Sequence, residues 1–195
     1  MGLFALLVID MQNDFVREGS PLRVEGAEAI VPAIKSVLDI FRERRLPVIH
    51  VLRVHRPDGS DVEVFRREIF KKGPFAVEGS WGAAVIDELC PLPGEYVIKK
   101  TRMSAFLGTD LDLLLRSCGV TGLVVTGIQT PNCIRTTVFD AAAYNYTVCL
   151  VRDAVAARTP EIHAANLQDM ENIGTIIISA SQVEPWLLSV QERQN

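Results

Sequence analysis

An aspartate, a lysine and a cysteine, the three side chains that together can run a thiol-based hydrolysis, each follow an apolar run in this chain. Asp10 comes directly after LFALLVI (3–9), Lys99 and Lys100 close the run that begins EYVIK (95–99), and Cys133 stands six residues after Gly127 of GLVVTGI (122–128). Thr130 and Pro131 fit the cap and first position of a helix, which puts Cys133 in a first helical turn. Backbone N–H groups and the helix dipole favour a thiolate there. A carboxylate at the mouth of a buried strand is costly unless it is paired, and a lysine nearby would pair it. Strand side chains alternate, so one of Lys99 and Lys100 points toward such a site and one away. The residues alone do not choose between them. Nucleophile, base and cation are the parts that acyl transfer through a thioester requires. Cys90, Cys118 and Cys149 read as structural cysteines.

These residues need a scaffold that brings strand ends together. Six apolar runs, at 3–9, 46–54, 95–99, 122–128, 147–151 and 174–179, are continuous rather than alternating, as in strands buried on both faces of a parallel sheet. Helical periodicity fills the gaps at 27–45, 109–119, 131–145 and 160–172, with Thr109 as a cap and Pro160 in a first turn. Strand–helix alternation predicts a doubly wound α/β domain. In such sheets ligands bind beyond the carboxyl ends of the strands, which gathers Asp10, His55, Lys99, Lys100, the 127–133 segment and Asp153. The stretch 55–94 is too long for a plain connection and is expected to act as a lid or pocket wall.

Composition removes other classes. The chain has 195 residues, 20 Lys plus Arg against 24 Asp plus Glu, and a formal charge of −4, so a basic nucleic-acid-binding surface is not expected. Four cysteines without a CxxC pair fit a reducing compartment. The seven apolar residues at 3–9 are too few to span a bilayer and lack the flanks of a leader, so a cytoplasmic chain with no membrane partner is expected. No GxGxxG, Walker or GxSxG pattern occurs. His50, His55 and His163 are scattered, and no metal site is expected.

Three segments carry a resemblance to the isochorismatase-like cysteine hydrolase superfamily: ALLVIDMQNDF (5–15), KKTRMSAFLGTDLDLLL (99–115) and TGIQTPNCIRTTVFDAAAYNY (126–146). HRPDGSD (55–61), VEGSWGA (77–83) and the helix of His163 add to it, so that it runs from residue 5 to about 180 in order. The resemblance implies one isochorismatase-like hydrolase domain over 1–195, a three-layer α/β/α fold around a mainly parallel six-stranded sheet. It implies a catalytic triad of Asp10, Lys100 and Cys133. Lys100 is chosen over Lys99 because the family lysine stands four residues before the serine of a KxRxSAF motif, here Ser104. A cis peptide between Ile128 and Gln129, an oxyanion hole from the Gln129 and Cys133 N–H groups, no cofactor, and a homodimer or homotetramer are implied as well.

The departures from the family pattern narrow the chemistry. Metal-dependent nicotinamidases of the superfamily carry Asp-x-His after the second strand and a further His; this chain has Arg53 at the carboxylate position and lacks the second His. Met103 replaces the usual Tyr of the lysine motif. The sequence is similar to the metal-free branch, which includes N-carbamoylsarcosine and ureidoacrylate amidohydrolases. The implied reaction is hydrolysis of the C–N bond of a small linear amide or carbamoyl compound with release of ammonia. Vinyl-ether hydrolysis of the isochorismatase type (releasing pyruvate), nicotinamide hydrolysis and a silent binding site are the alternatives. Phe15, His55, Trp81, Arg102 and Phe106 are the expected pocket walls, and Arg53, Arg102 and Arg135 the candidates to clamp a substrate carboxylate.

Overall fold

The computed structural model describes residues 2–20 and 22–192. Six strands, β1 (Leu3–Ile9), β2 (Val48–Arg53), β3 (Tyr96–Lys100), β4 (Val120–Ile128), β5 (Thr147–Ala156) and β6 (Ile176–Ile178), form one sheet in the order β3-β2-β1-β4-β5-β6. Every neighbouring pair in it is parallel. The order reverses direction at β1, between β2 and β4. That reversal opens a crevice at the carboxyl end of β1, the usual place for a ligand in an open α/β sheet.

The helices are α1 (Asn13–Val16), α2 (Val31–Glu43), α3 (Arg67–Lys72), α4 (Leu111–Ser117), α5 (Arg135–Ala143), α6 (Pro160–Asn172) and α7 (Ala180–Glu192). Alternation along β1 divides them into two layers. Leu6 and Val8 face one core with Ile34, Val37, Leu38 and Phe41 of α2 and Val183 and Leu187 of α7. Leu7 and Ile9 face the other with Leu111 and Leu115 of α4, Val138 and Ala141 of α5 and Met170 of α6. Both faces of the central strands are therefore dry, which is why β1, β2 and β4 read as unbroken apolar runs, while the edge strand β3 is largely exposed.

Two local expectations are corrected, the end of β5 and the place of Asp153. β5 does not stop before Asp153 but continues to Ala156, after a register shift against β4 between Val125 and Gly127. The charged pair Arg152 and Asp153 imitates a strand end because Asp153 has a structural partner: its carboxylate accepts the Ala180 N–H at 2.7 Å and anchors the start of α7. That helix escapes the sequence pattern, with Pro185 inside it. Among the described residues, no helix is long and apolar enough to cross a membrane.

One buried polar cluster away from the strand ends fixes β2 and β3 to α2. Glu95 accepts hydrogen bonds from Arg42 Nε at 2.7 Å and from the Leu92 N–H at 2.9 Å, and lies 2.9 Å from His50 Nε2. Burial alone would raise its pKa; the hydrogen bonds from Arg42, Leu92 and His50 outweigh that and hold it at about 2. A depressed carboxyl stabilises the fold above its unfolded pKa and loses that contribution as pH falls through the folded value. Glu95→Gln is expected to lower stability by about 2 kcal/mol at pH 7. In urea titrations the gap from the parent should close as pH falls from about 4.3 toward 2.

Candidate active site

β1 delivers Asp10 to the crevice in an unusual backbone state. Its φ is +55°, in the left-handed region that few non-glycine residues occupy, and the turn is held by Asp10 N–H donating to Val51 O at 2.8 Å. Two residues on, fully buried Gln12 ties three segments together. Its Nε2 donates to Arg53 O at 2.7 Å and Ala83 O at 2.8 Å, and its Oε1 accepts from Arg53 N–H at 2.8 Å. The ends of β1 and β2 and the long connection are locked in one frame by a side chain that composition does not single out.

β3 resolves the two lysines by alternation. Lys99 points outward to Glu78 at 2.7 Å, more than half exposed. Lys100 is buried: its Nζ donates to Asp10 Oδ2 at 2.8 Å, to Arg102 O at 3.1 Å and to Cys133 Sγ at 3.4 Å. Asp10 Oδ1 is buried without a hydrogen-bond partner. Asp10, Lys100 and Cys133 thus meet in space, from the ends of β1 and β3 and the turn after β4.

That turn places Cys133 in a first helical turn, as expected, but it is π-helical and its cap is not Thr130. Thr130–Ile134 is a π-helical turn that precedes α5, with Gln129 at its cap position. The Gln129 carbonyl accepts both the Asn132 and the Ile134 N–H at 3.1 Å. Thr130 does not cap; its hydroxyl is 3.1 Å from His163 Nδ1 on α6. The peptide between Ile128 and Gln129 is cis. Just upstream, Gly127 has a φ of +111°, and a Cβ there would lie 2.1 Å from Ile9 O. β1 and β4 therefore touch backbone to backbone at the level of the site.

Arg53 stands opposite Lys100 in the β2–β3 register and is equally buried. Its Nη2 lies 3.7 Å from Cys133 Sγ, and its Nη1 donates to Glu63 Oε1 at 2.8 Å and to Thr101 O at 3.3 Å. Burial works to lower its pKa, but the negative charges of Cys133 as thiolate, of Asp10 and of Glu63 outweigh it and hold the guanidinium above the ordinary arginine value. A metal ion does not fit beside this fixed cation. Among the described residues, no group of three His, Cys, Asp or Glu side chains is arranged to hold one.

A cavity of about 260 Å³ opens over these residues. Asp10, Cys133, Gln129, Arg53 and Phe15 line it, while Lys100 stands behind them. The other expected walls lie elsewhere. His55 is sealed against Phe70 and Phe75 and stands 3.2 Å from Asp61. Trp81 is largely exposed. Arg102 donates to the Asp61 and Thr101 carbonyls, and Phe106 packs with Tyr144 and Tyr146. Arg135 pairs with Asp169 on α6. Sequence reasoning misses Arg23, Arg66, Ile69 and Arg158 as lining residues. The only signal for Arg66 and Ile69 is the length and helical character of the 55–94 connection.

The chain is similar over most of its length to known proteins. An isochorismatase domain model matches residues 4–182. A protein of Arabidopsis thaliana described as a probable inactive nicotinamidase is 51% identical, over 87% of this chain and 89% of that one. The N-carbamoylsarcosine amidase of an Arthrobacter species is 33% identical, over 94% of this chain and 70% of its own. A crystal structure of an isochorismatase family protein from Desulfovibrio vulgaris superposes with a TM-score of 0.93 at 45% identity, covering 96% of this chain and all of that one. With the family model spanning nearly its whole length and a solved member superposing over 96% of it, the chain belongs to the isochorismatase family of hydrolases.

Proposed function

We propose that the protein is a cysteine-dependent amidohydrolase that cleaves the C–N bond of a small amide or carbamoyl compound and releases ammonia. The observation that supports it most is the buried contact of Lys100 Nζ with both Asp10 Oδ2 at 2.8 Å and Cys133 Sγ at 3.4 Å, with Asp10 and Cys133 facing the cavity. Asp10 takes the thiol proton, and Lys100 and Arg53 balance the resulting thiolate. The sulfur attacks the carbonyl carbon, and the N–H groups of Gln129 and Cys133 receive the oxyanion. Asp10 returns its proton to the departing nitrogen, the C–N bond breaks, and ammonia leaves a thioester on Cys133. Water, deprotonated by Asp10, attacks that thioester and frees the acid and the thiol. The homodimer or homotetramer implied by the family resemblance belongs to the same proposal and is read by sedimentation.

Ammonia release from a panel of N-carbamoyl amino acids, ureidoacrylate-like compounds, nicotinamide and aliphatic amides tests it, with Cys133→Ala as the blank. Release that vanishes in the variant is expected; release at the parent rate in the variant would overturn it. A second reading, a site that binds without turnover, draws on the relative described as a probable inactive nicotinamidase. It predicts no ammonia from any compound, together with protection of Cys133 from alkylation by those that bind.

A further inference from the structure

Two cations reach the sulfur of Cys133, and each carries its own carboxylate. Lys100 Nζ lies 3.4 Å from Sγ and 2.8 Å from Asp10 Oδ2. Arg53 Nη2 lies 3.7 Å from Sγ, while its Nη1 donates to Glu63 Oε1 at 2.8 Å. The hydrolysis proposed above uses Asp10, Lys100 and Arg53 and leaves Glu63 without a task. Packing does not call for a carboxylate there: the Glu63 side chain is only 9% exposed. Among the described residues its buried Oε2 has no hydrogen-bond partner, which works against stability. Burial by itself would raise the Glu63 pKa, but the charge and hydrogen bond of Arg53 outweigh that and lower it, so the carboxylate stays ionised at neutral pH. The segment that carries it is hooked to the site itself. Arg102 Nη1 donates to Asp61 O at 2.7 Å, and the Arg102 carbonyl accepts Lys100 Nζ at 3.1 Å.

We infer that Glu63 is a positioning residue for the catalytic proton: by offsetting Arg53 it keeps the Cys133 thiol protonated until substrate is bound, and that proton is the one that leaves with the nitrogen. The inference rests on the amidohydrolase reading and adds to it the residue that controls its proton supply. In that mechanism Cys133 and Asp10 share one proton, as thiol and carboxylate before transfer and as thiolate and carboxylic acid after it. Neither form changes the charge of the site. When the C–N bond breaks, Asp10 delivers that proton to nitrogen, and ammonia departs. With the Glu63 charge removed, Lys100 and Arg53 together outweigh Asp10, and the thiol releases its proton to solvent instead. The thiolate that remains is able to attack. Asp10 then has no proton to give, and the nitrogen would have to leave as an amide anion. The other charged groups around the sulfur do not supply the same balance. Arg66, on the same connection, is 4.0 Å from Glu63 Oε1 and adds to the positive side, as do Arg23 and Arg158 along the cavity. Asp61 is turned toward His55 and the Arg56 N–H, while burial and the Arg53 charge lower the pKa of His55 and keep it neutral.

Glu63→Gln provides the test, because it keeps an acceptor for Arg53 and removes only the charge. Its Cys133 should react with iodoacetamide about tenfold faster than the parent's at pH 6, read against exposed Cys90, while ammonia release on the alkaline side falls by a similar factor. The alkaline limb of kcat/KM reports the essential acid of the free enzyme and should lie about one pH unit lower, so that activity returns as the pH is lowered. Glu63→Asp retains the charge and should keep the limb near the parent's. A residue that merely holds the connection in place would slow both reactions and leave the limb where it is. That result, or alkylation no faster in Glu63→Gln, would overturn the inference. Should Glu63→Gln not fold, Arg53→Gln/Glu63→Gln, which buries neither charge, carries the test. Its alkaline limb should stay near the parent's; a limb displaced upward by about one unit, as loss of the Arg53 charge alone would give, would overturn the inference. Should no amide be hydrolysed, the amidohydrolase reading fails while the alkylation still decides. Faster labelling of Cys133 in Glu63→Gln then supports proton retention by Glu63, and equal or slower labelling overturns it.

Discussion

Asp10→Asn is expected to cut ammonia release by roughly 10²–10⁴-fold, the range for loss of a general acid–base, while Cys133 alkylates at least as fast as in the parent. The two halves separate a proton carrier from a structural carboxylate. Asparagine tolerates left-handed backbone, so the φ of +55° at this turn is not an obstacle to the variant. Its amide oxygen can still accept from Lys100 Nζ, which preserves the 2.8 Å contact that seats the lysine. What it cannot do is take a proton from sulfur and hand it to a leaving nitrogen. Removal of a negative charge near Sγ, with Lys100 and Arg53 still in place, favours the thiolate rather than disfavouring it. Iodoacetamide rates measured beside exposed Cys90 as an internal reference give the second half. Hydrolysis retained within tenfold would remove Asp10 from the proton path.

Gly127→Ala should abolish the folded protein or destabilise it by more than about 4 kcal/mol, in the small class of severe single substitutions. A Cβ there lies 2.1 Å from Ile9 O and 2.7 Å from Ile9 N, both backbone atoms of the central strand that cannot swing aside. The φ of +111° adds strain of its own. Gly119→Ala separates the two causes, since its φ is +69° and nothing lies within 4 Å of its Cβ. That control should cost only about 1–2 kcal/mol, the penalty of a left-handed non-glycine residue. Urea unfolding of both variants checks the difference. Similar losses in the two would show that the β1–β4 approach is not the constraint described. The consequence for function is direct, because Ile9 precedes Asp10 and Gly127 precedes the turn that carries Cys133.

Legibility in the sequence followed the physics of burial. Strands covered on both faces, as β1, β2 and β4 are, cannot hide; the edge strand β3 is legible from its apolar run although it is largely exposed, and the strand-end rule gathers Asp10, Lys100 and Cys133 before any distance is known. The choice of Lys100 over Lys99 needed the family motif; strand alternation then accounts for it, with Lys99 at the surface beside Glu78. Thr-Pro correctly marks a helix start and places Cys133 in its first turn, but the cap is Gln129, because the Thr130 hydroxyl is taken by His163, 33 residues away. The pocket walls were the least legible part. Proximity in sequence to the site motifs suggests Arg102 and Phe106, which turn to Asp61 and Tyr144 instead, while a connection as long as 55–94 can fold His55 and Trp81 inward or outward with no periodic signal. Arg66 and Glu63 meet the sheet only through tertiary contacts. Gln12 likewise gives no hint in sequence of its three hydrogen bonds.

The central claim, that Cys133 is acylated during turnover, is tested most directly by acid-quenched mass spectrometry with the best substrate from the amide panel. Tryptic cleavage isolates residues 117–135, which contain Cys118 and Cys133, and fragmentation distinguishes the two. The account predicts a mass gain equal to the substrate acyl group on Cys133 during the first turnovers, labile to hydroxylamine. Steady ammonia release with Cys133 unmodified, and undiminished in Cys133→Ala, would contradict it.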